Sequence, residues 1–159
     1  MANGELAHAV RLREKGDHEA ARELLLELSK RHPDDPEVAY QTAWVHDALG
    51  LEAEAVPFYQ RALAGEGLAA GDRRGALTGF GSTLRVLGRY GEALEVFDLA
   101  LTEFPDDPAL RVFRAMALYN SGQAREAVGT LLKLLAGTEQ VGGYRRAVEY
   151  YADHLDETV

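Results

Sequence analysis

The sequence predicts an all-α fold, a chain of helical hairpins, on three observations. A five-residue phrase occurs twice: His32-Pro33-Asp34-Asp35-Pro36 returns 72 residues later as Phe104-Pro105-Asp106-Asp107-Pro108. Glycines at 16, 50, 88 and 122 divide the chain in steps of 34, 38 and 34. Around each glycine small residues recur at fixed distances. Ala21, Ala55, Ala93 and Ala127 stand five after it; Ala9, Ala43, Gly81 and Ala115 stand seven before it.

The phrase is a stop followed by a start. Its first Pro ends one helix, its second Asp offers a carboxylate to the free N–H groups of the next, and its second Pro fits the first helical position, where a missing N–H is harmless. A period of 34 residues is one helical hairpin per unit, and the middle step carries four extra residues. Helices that cross closely need small side chains at the contact, which the two small-residue columns supply on each arm. Large apolar groups nine after each glycine (Leu25, Tyr59, Phe97, Leu131) and residues four before it (Leu12, His46, Leu84, Leu118) complete the expected core, with His46 the polar exception.

Taken in order, the predicted helices are 4–15, 18–31, 36–49, 52–65, 72–87, 90–103, 108–121 and 124–136. Pro57 falls in the second turn of the fourth, where it removes a backbone bond and predicts a local kink. The Gly-rich stretch 65–71 is expected to hold the four-residue insertion as a loose joint between two stiff Pro-Asp-Asp-Pro joints. A last helix is expected over 139–157. Its stripe of Tyr144, Val148, Tyr151 and Leu155 either caps the preceding hairpin or serves a dimer interface.

Bulk properties narrow the function. An apolar content of 47% with 27% charged residues suits a folded soluble chain. A net charge of −9 argues against nucleic acid as the partner. Without cysteine there is no disulfide, thiol nucleophile or thiolate metal site. No apolar run approaches the ~18 residues of a membrane span, and Met1 to Leu6 lack the pattern of a signal peptide, so a cytoplasmic location is expected.

These residues resemble the tetratricopeptide repeat (TPR) family. The third unit carries the likeness most fully, with Phe80-Gly81, Gly88, Tyr90, Ala93, Phe97, Ala100 and Pro105. The second matches at Ala43, Gly50, Ala55, Tyr59 and Ala62, the first at Ala9, Gly16, Ala21 and Pro33, and the fourth at Ala115, Gly122, Ala127 and Leu135. Where the family places an aromatic or Leu before the small first-helix residue, this chain has His8, Thr42 and Arg114, which weakens packing between repeats. The resemblance implies one right-handed superhelical domain over 1–159, with repeats at about 2–35, 36–69, 74–107 and 108–137 and a capping helix at 139–157.

It also implies a non-catalytic protein–protein interaction module that binds a peptide or protein along the first helices. By spacing from each glycine, the groove positions are Leu6, Val10 and Arg13; Tyr40, Trp44 and Asp47; Thr78, Ser82 and Arg85; and Val112, Met116, Tyr119 and Asn120. Trp44, the single tryptophan, either faces the groove or is covered by the chain itself. A carboxylate clamp is disfavoured, because its positions carry Leu6, Val10, Tyr40 and Trp44. Apolar pockets, with Arg13 and Arg85 reading an acidic group, are expected instead.

Residues 37–71 hold five acids against Arg61, whereas 106–138 carry a net +1. That asymmetry fits a basic partner, self-association as a homodimer, or a solvated face. A chaperone for a secreted client is the alternative within the same class. Enzyme readings lack support: the five histidines show no metal-pair spacing, glycines 65, 67 and 71 lack a following G-K-[ST], and neither His46-Asp47 nor His154 to Asp156 is expected to be a catalytic pair. No cofactor or metal is expected.

Overall fold

The computed structural model describes residues 2–158, and among them there is no strand. Within that range nine α-helices succeed one another: α1 (Ala2–Glu14), α2 (His18–Arg31), α3 (Pro36–Ala48), α4 (Glu52–Ala64), α5 (Ala70–Val86), α6 (Tyr90–Glu103), α7 (Pro108–Asn120), α8 (Ala124–Ala136) and α9 (Arg145–Ala152), with a 3-10 turn over Glu139–Tyr144 before the last.

The repeated phrase works as its chemistry predicts. Asp35 Oδ1 accepts from the backbone N–H of Glu37 at 3.0 Å and of Val38 at 3.2 Å. Asp107 Oδ1 does the same for Ala109 at 2.9 Å and Leu110 at 3.2 Å. Each joint is also held by an arginine: Arg61 donates to the Pro33 carbonyl and Arg111 to that of Pro105. Within the hairpins, Gly16, Gly50, Gly88 and Gly122 all turn at positive φ, between 70 and 85°, a region side-chain-bearing residues avoid.

Two compact units divide between Leu87 and Gly88, inside the third predicted repeat rather than at the 65–71 joint. The first holds two core clusters that share α3. Leu6, Ala9, Ala21, Leu25, Leu28, Val38 and Val45 pack between α1, α2 and α3. Ala39, Tyr40, Ala43, Ala55, Tyr59, Ala62 and Ala76 pack between α3, α4 and α5. Burial of each large member stabilises by about 1.5–3 kcal/mol. His46, the polar exception, is buried with its needs met: Nδ1 pairs with the Thr42 carbonyl at 2.7 Å, Arg22 Nε donates to Nε2 at 3.3 Å, and the ring stacks on Phe58.

The four-residue insertion is helix, not loop. α5 has 17 residues where α1, α3 and α7 have 13, so the insertion forms one more turn at its start. Its interior glycines admit two hydroxyls: a Cβ on Gly75 would collide with the Tyr40 hydroxyl, and one on Gly79 would lie 2.9 Å from Tyr59 Cζ. α4 runs unbroken from Glu52 to Ala64 through Pro57, whose position is exposed.

In the second unit Ala115, Leu118 and Ala127 form a cluster with Leu94, and Phe97 stacks on Phe113 with ring centres 6.4 Å apart. Arg114, one of the departures from the family pattern, reaches Asp98 of α6 at 2.7 Å and Glu126 of α8 at 3.2 Å. An ion-pair bridge across three helices therefore stands where an apolar contact was expected. Burial alone would lower its pKa; the two carboxylates prevail and raise it.

The last predicted helix is broken and shorter than 139–157. Gly142, at φ 53° and ψ −130°, interrupts the helix and leaves α9 only eight residues. α9 meets α8 where a Cβ on Gly129 would lie 2.7 Å from the Ala152 carbonyl oxygen. That register buries Ala152 and leaves Tyr144, Tyr151 and Leu155 exposed, with Val148 half-buried. Lys133 with Asp153, at 2.7 Å, and Arg125 with Asp156 tie α8 to the end of α9 and the turn beyond it.

Candidate functional site

In the first unit, α1 and α3 set two rows of side chains side by side. Leu6, Val10 and Arg13 follow at i, i+4 and i+7 on α1; Glu37, Tyr40 and Trp44 follow at i, i+3 and i+7 on α3. At one end, Asn3, Leu6, Ala7, Val10 and Glu37 line an open pocket of about 410 Å³. At the other, the Arg13 guanidinium carbon lies 3.5 Å from the centre of the Trp44 ring, which in turn stacks on Tyr40 at 5.7 Å.

The electrostatics at Arg13 are unusual. Arg13 is only 9% exposed, its Nε has no hydrogen-bond partner, and no carboxylate within the described residues forms an ion pair with it. Burial lowers its pKa, although a guanidinium stays protonated at neutral pH. A guanidinium with its Nε sealed from solvent and an aromatic face as its contact is partly desolvated without a counter-charge, which is costly. Trp44 remains 41% exposed, so the chain leaves part of the ring open.

Other predicted positions fall differently. Leu6 and Tyr40 are core residues. Their spacing from the glycine sets a direction, but the neighbouring helix closes over them, and the Tyr40 hydroxyl is spent against Gly75. Asp47 is turned into a network: Tyr59 donates to Oδ2 at 2.5 Å and Thr83 at 2.7 Å, tying α3 to α4 and α5. Burial raises its pKa even though these hydrogen bonds pull the other way, and burial with the Asp47 charge pushes the Tyr59 phenol upward. His46 and Asp47 are thus committed to separate partners. Thr78, Ser82 and Arg85 are half-buried on α5, and Thr78 donates to the Arg74 carbonyl at 2.8 Å.

On α7 of the second unit, Met116, Tyr119 and Asn120 are exposed and Val112 is half-buried. Among the described residues no group of His, Asp and Glu is placed to hold a metal ion, and no helix is long and apolar enough to cross a membrane. Sequence reasoning missed Glu37, although its place seven residues before Trp44 on the same row is a readable signal. Burial first, then the charges of Asp72 and Asp35, raise its pKa.

Against this geometry, a model of the tetratrico peptide repeat matches residues 36–155. The chain belongs to the tetratrico peptide repeat family. Its members are protein-interaction scaffolds, and the repeat accounts for the helical hairpins described above. No curated protein matches the chain.

Solved structures of MamA share the TPR fold. MamA from Desulfovibrio magneticus RS-1, from position 41 to the end, aligns at a TM-score of 0.69 with 19% identity over 96% of this chain and 89% of that one. MamA of MSR-1 aligns at 0.70 with 19% identity over 96% and 77%. An AMB-1 form aligns at 0.69 with 22% identity over 80% and 72%. At such identities the likeness is one of fold.

Proposed function

We propose that the protein is a non-catalytic interaction module whose first unit binds a peptide or protein segment along α1 and α3. One observation carries the reading: Arg13 is a nearly buried, unpaired cation beneath a tryptophan left open to solvent. A carboxylate that reaches the guanidinium edge supplies the missing counter-charge, and the exposed Trp44 face supplies apolar area at the centre of the contact. About two helical turns away, or roughly 10 Å, the pocket floored by Leu6 and opened by Ala7 and Val10 takes an apolar side chain, with Glu37 at its rim. The ligand class is therefore an extended or helical peptide carrying an acidic and an apolar residue about that far apart. The family supports the scaffold role, and the absence of a convergent catalytic cluster in the sequence supports the non-catalytic one.

Trp44 is the chain's single tryptophan, so its fluorescence reports directly on this site. Peptides with the acidic and apolar pair should change that signal saturably, and versions with Lys in place of the acid should not. Saturable binding of the Lys versions alone would contradict the reading.

A further inference from the structure

A column of four equivalent residues behaves alike three times and differently once. Leu25, Tyr59 and Phe97 are 0, 2 and 0% exposed, whereas Leu131 is 38% exposed. Leu25 is covered by Val38 and Val45 of the next first helix. Tyr59 lies with Ala76 and stacks on Phe80 of α5, and Phe97 stacks on Phe113 of α7. α8 is followed by no such helix. α9 approaches it instead on the Gly129 side, and the face that earlier hairpins hide remains open.

That face continues onto α9. Val128, Leu131 and Leu135 lie on one side of α8, Tyr151 and the N-cap Tyr144 lie on one side of α9, and Leu155 stands in the turn beyond it; all six are between 38 and 76% exposed. Helical spacing about the Gly129–Ala152 contact turns both rows to the same side of the pair, away from Lys133 and Asp153. Arg125, three residues before Val128, borders this face and is paired with Asp156; no other charged residue of α8 or α9 falls in that sector, although the chain carries −9 overall.

We propose that this α8–α9 surface is a homodimer interface whose occupant is the same surface of a second copy. A second copy's α1 is a poor alternative. The positions through which α3 covers Leu25, Val38 and Val45, correspond in α1 to Gly4 and Arg11, so α1 lacks the apolar groups to do the same. Like surfaces meet here with their bordering charge, Arg125, already paired to Asp156, which suits an isologous contact. With large side chains offering roughly 150–250 Å² each, the six at their exposures present roughly 600 Å² per copy, so pairing buries roughly 1,200 Å², the threshold of a specific interface.

Sedimentation of the whole chain at tens of micromolar tests this. The wild type should run at about twice 17.4 kDa. Leu131→Glu should run as monomer with unchanged far-UV circular dichroism, and His8→Glu, on α1, should remain a dimer. Should Leu131→Glu fail to fold, Tyr151→Glu on the exposed side of α9 carries the same expectation. A wild type that stays monomeric at that concentration overturns the proposal, as does a folded Leu131→Glu or Tyr151→Glu that still dimerises. A dimer broken by His8→Glu alone would overturn it equally.

Discussion

The guanidinium of Arg13 sits 3.5 Å from the centre of the Trp44 ring with no carboxylate of the described chain paired to it. A buried charge without a counter-ion is a stability liability, and replacing it with an apolar residue of similar length should not weaken the fold. Arg13→Met is therefore expected to leave the urea midpoint unchanged or raise it, while acidic-peptide affinity drops at least ~10-fold, the worth of one charge-assisted hydrogen bond. A lowered midpoint would make Arg13 a structural residue.

The two capping aspartates should be separable from everything else. Asp35→Ala and Asp107→Ala each remove a side-chain acceptor from two backbone N–H groups and should destabilise by about 1 kcal/mol in denaturant unfolding. Replacement by Ser or Asn should recover most of that loss.

At Asp47 the expected pH dependence has a definite sign. Burial raises its folded-state pKa above the ordinary 3.8, so in the window just above that value the folded chain holds the proton more tightly than the unfolded one. Stability from this site is greatest below 3.8 and declines as pH rises through the folded-state pKa. Asp47→Asn should flatten this dependence in melts run from about pH 3 upward. Tyr59→Phe should lower stability at neutral pH by about 1 kcal/mol or more, because it strips a donor from a half-buried carboxylate.

Gly79 offers a sharper packing test. Alanine in a helix interior usually gains about 0.5–1 kcal/mol over glycine. Here the added methyl would meet Tyr59 Cζ at 2.9 Å, so Gly79→Ala should lower the melting temperature instead. Combined with Tyr59→Leu, it should lower it no further.

Much of this architecture is written in local chemistry, and that part is legible in the sequence. The Pro-Asp-Asp-Pro joints, the turn glycines and the small-residue columns depend on residues within one hairpin, and the starts of α1 to α8 lie within two residues of their predicted positions. Spacing cannot convey how far a neighbouring helix closes over a given side chain. Tyr40 and Trp44 share one face of α3, yet α5 reaches the first and not the second. Asp47 meets Thr83 across to α5, a contact between hairpins that no spacing within one hairpin specifies. The open face of α8 is hidden from sequence in the same way. Leu131 matches its column in chemistry and differs only because α9, not another first helix, comes after α8.

The central claim is that the α1–α3 face of the first unit holds a partner through Arg13 and Trp44. Its most direct test is affinity for peptides selected from a library on the wild-type chain, remeasured on Trp44→Ala and Arg13→Met with helicity followed alongside. Selected peptides should pair an acidic with an apolar residue, and Trp44→Ala should weaken them by about 2 kcal/mol or more while the chain stays helical. Affinities that survive both substitutions, or a Trp44→Ala chain that unfolds, would contradict it.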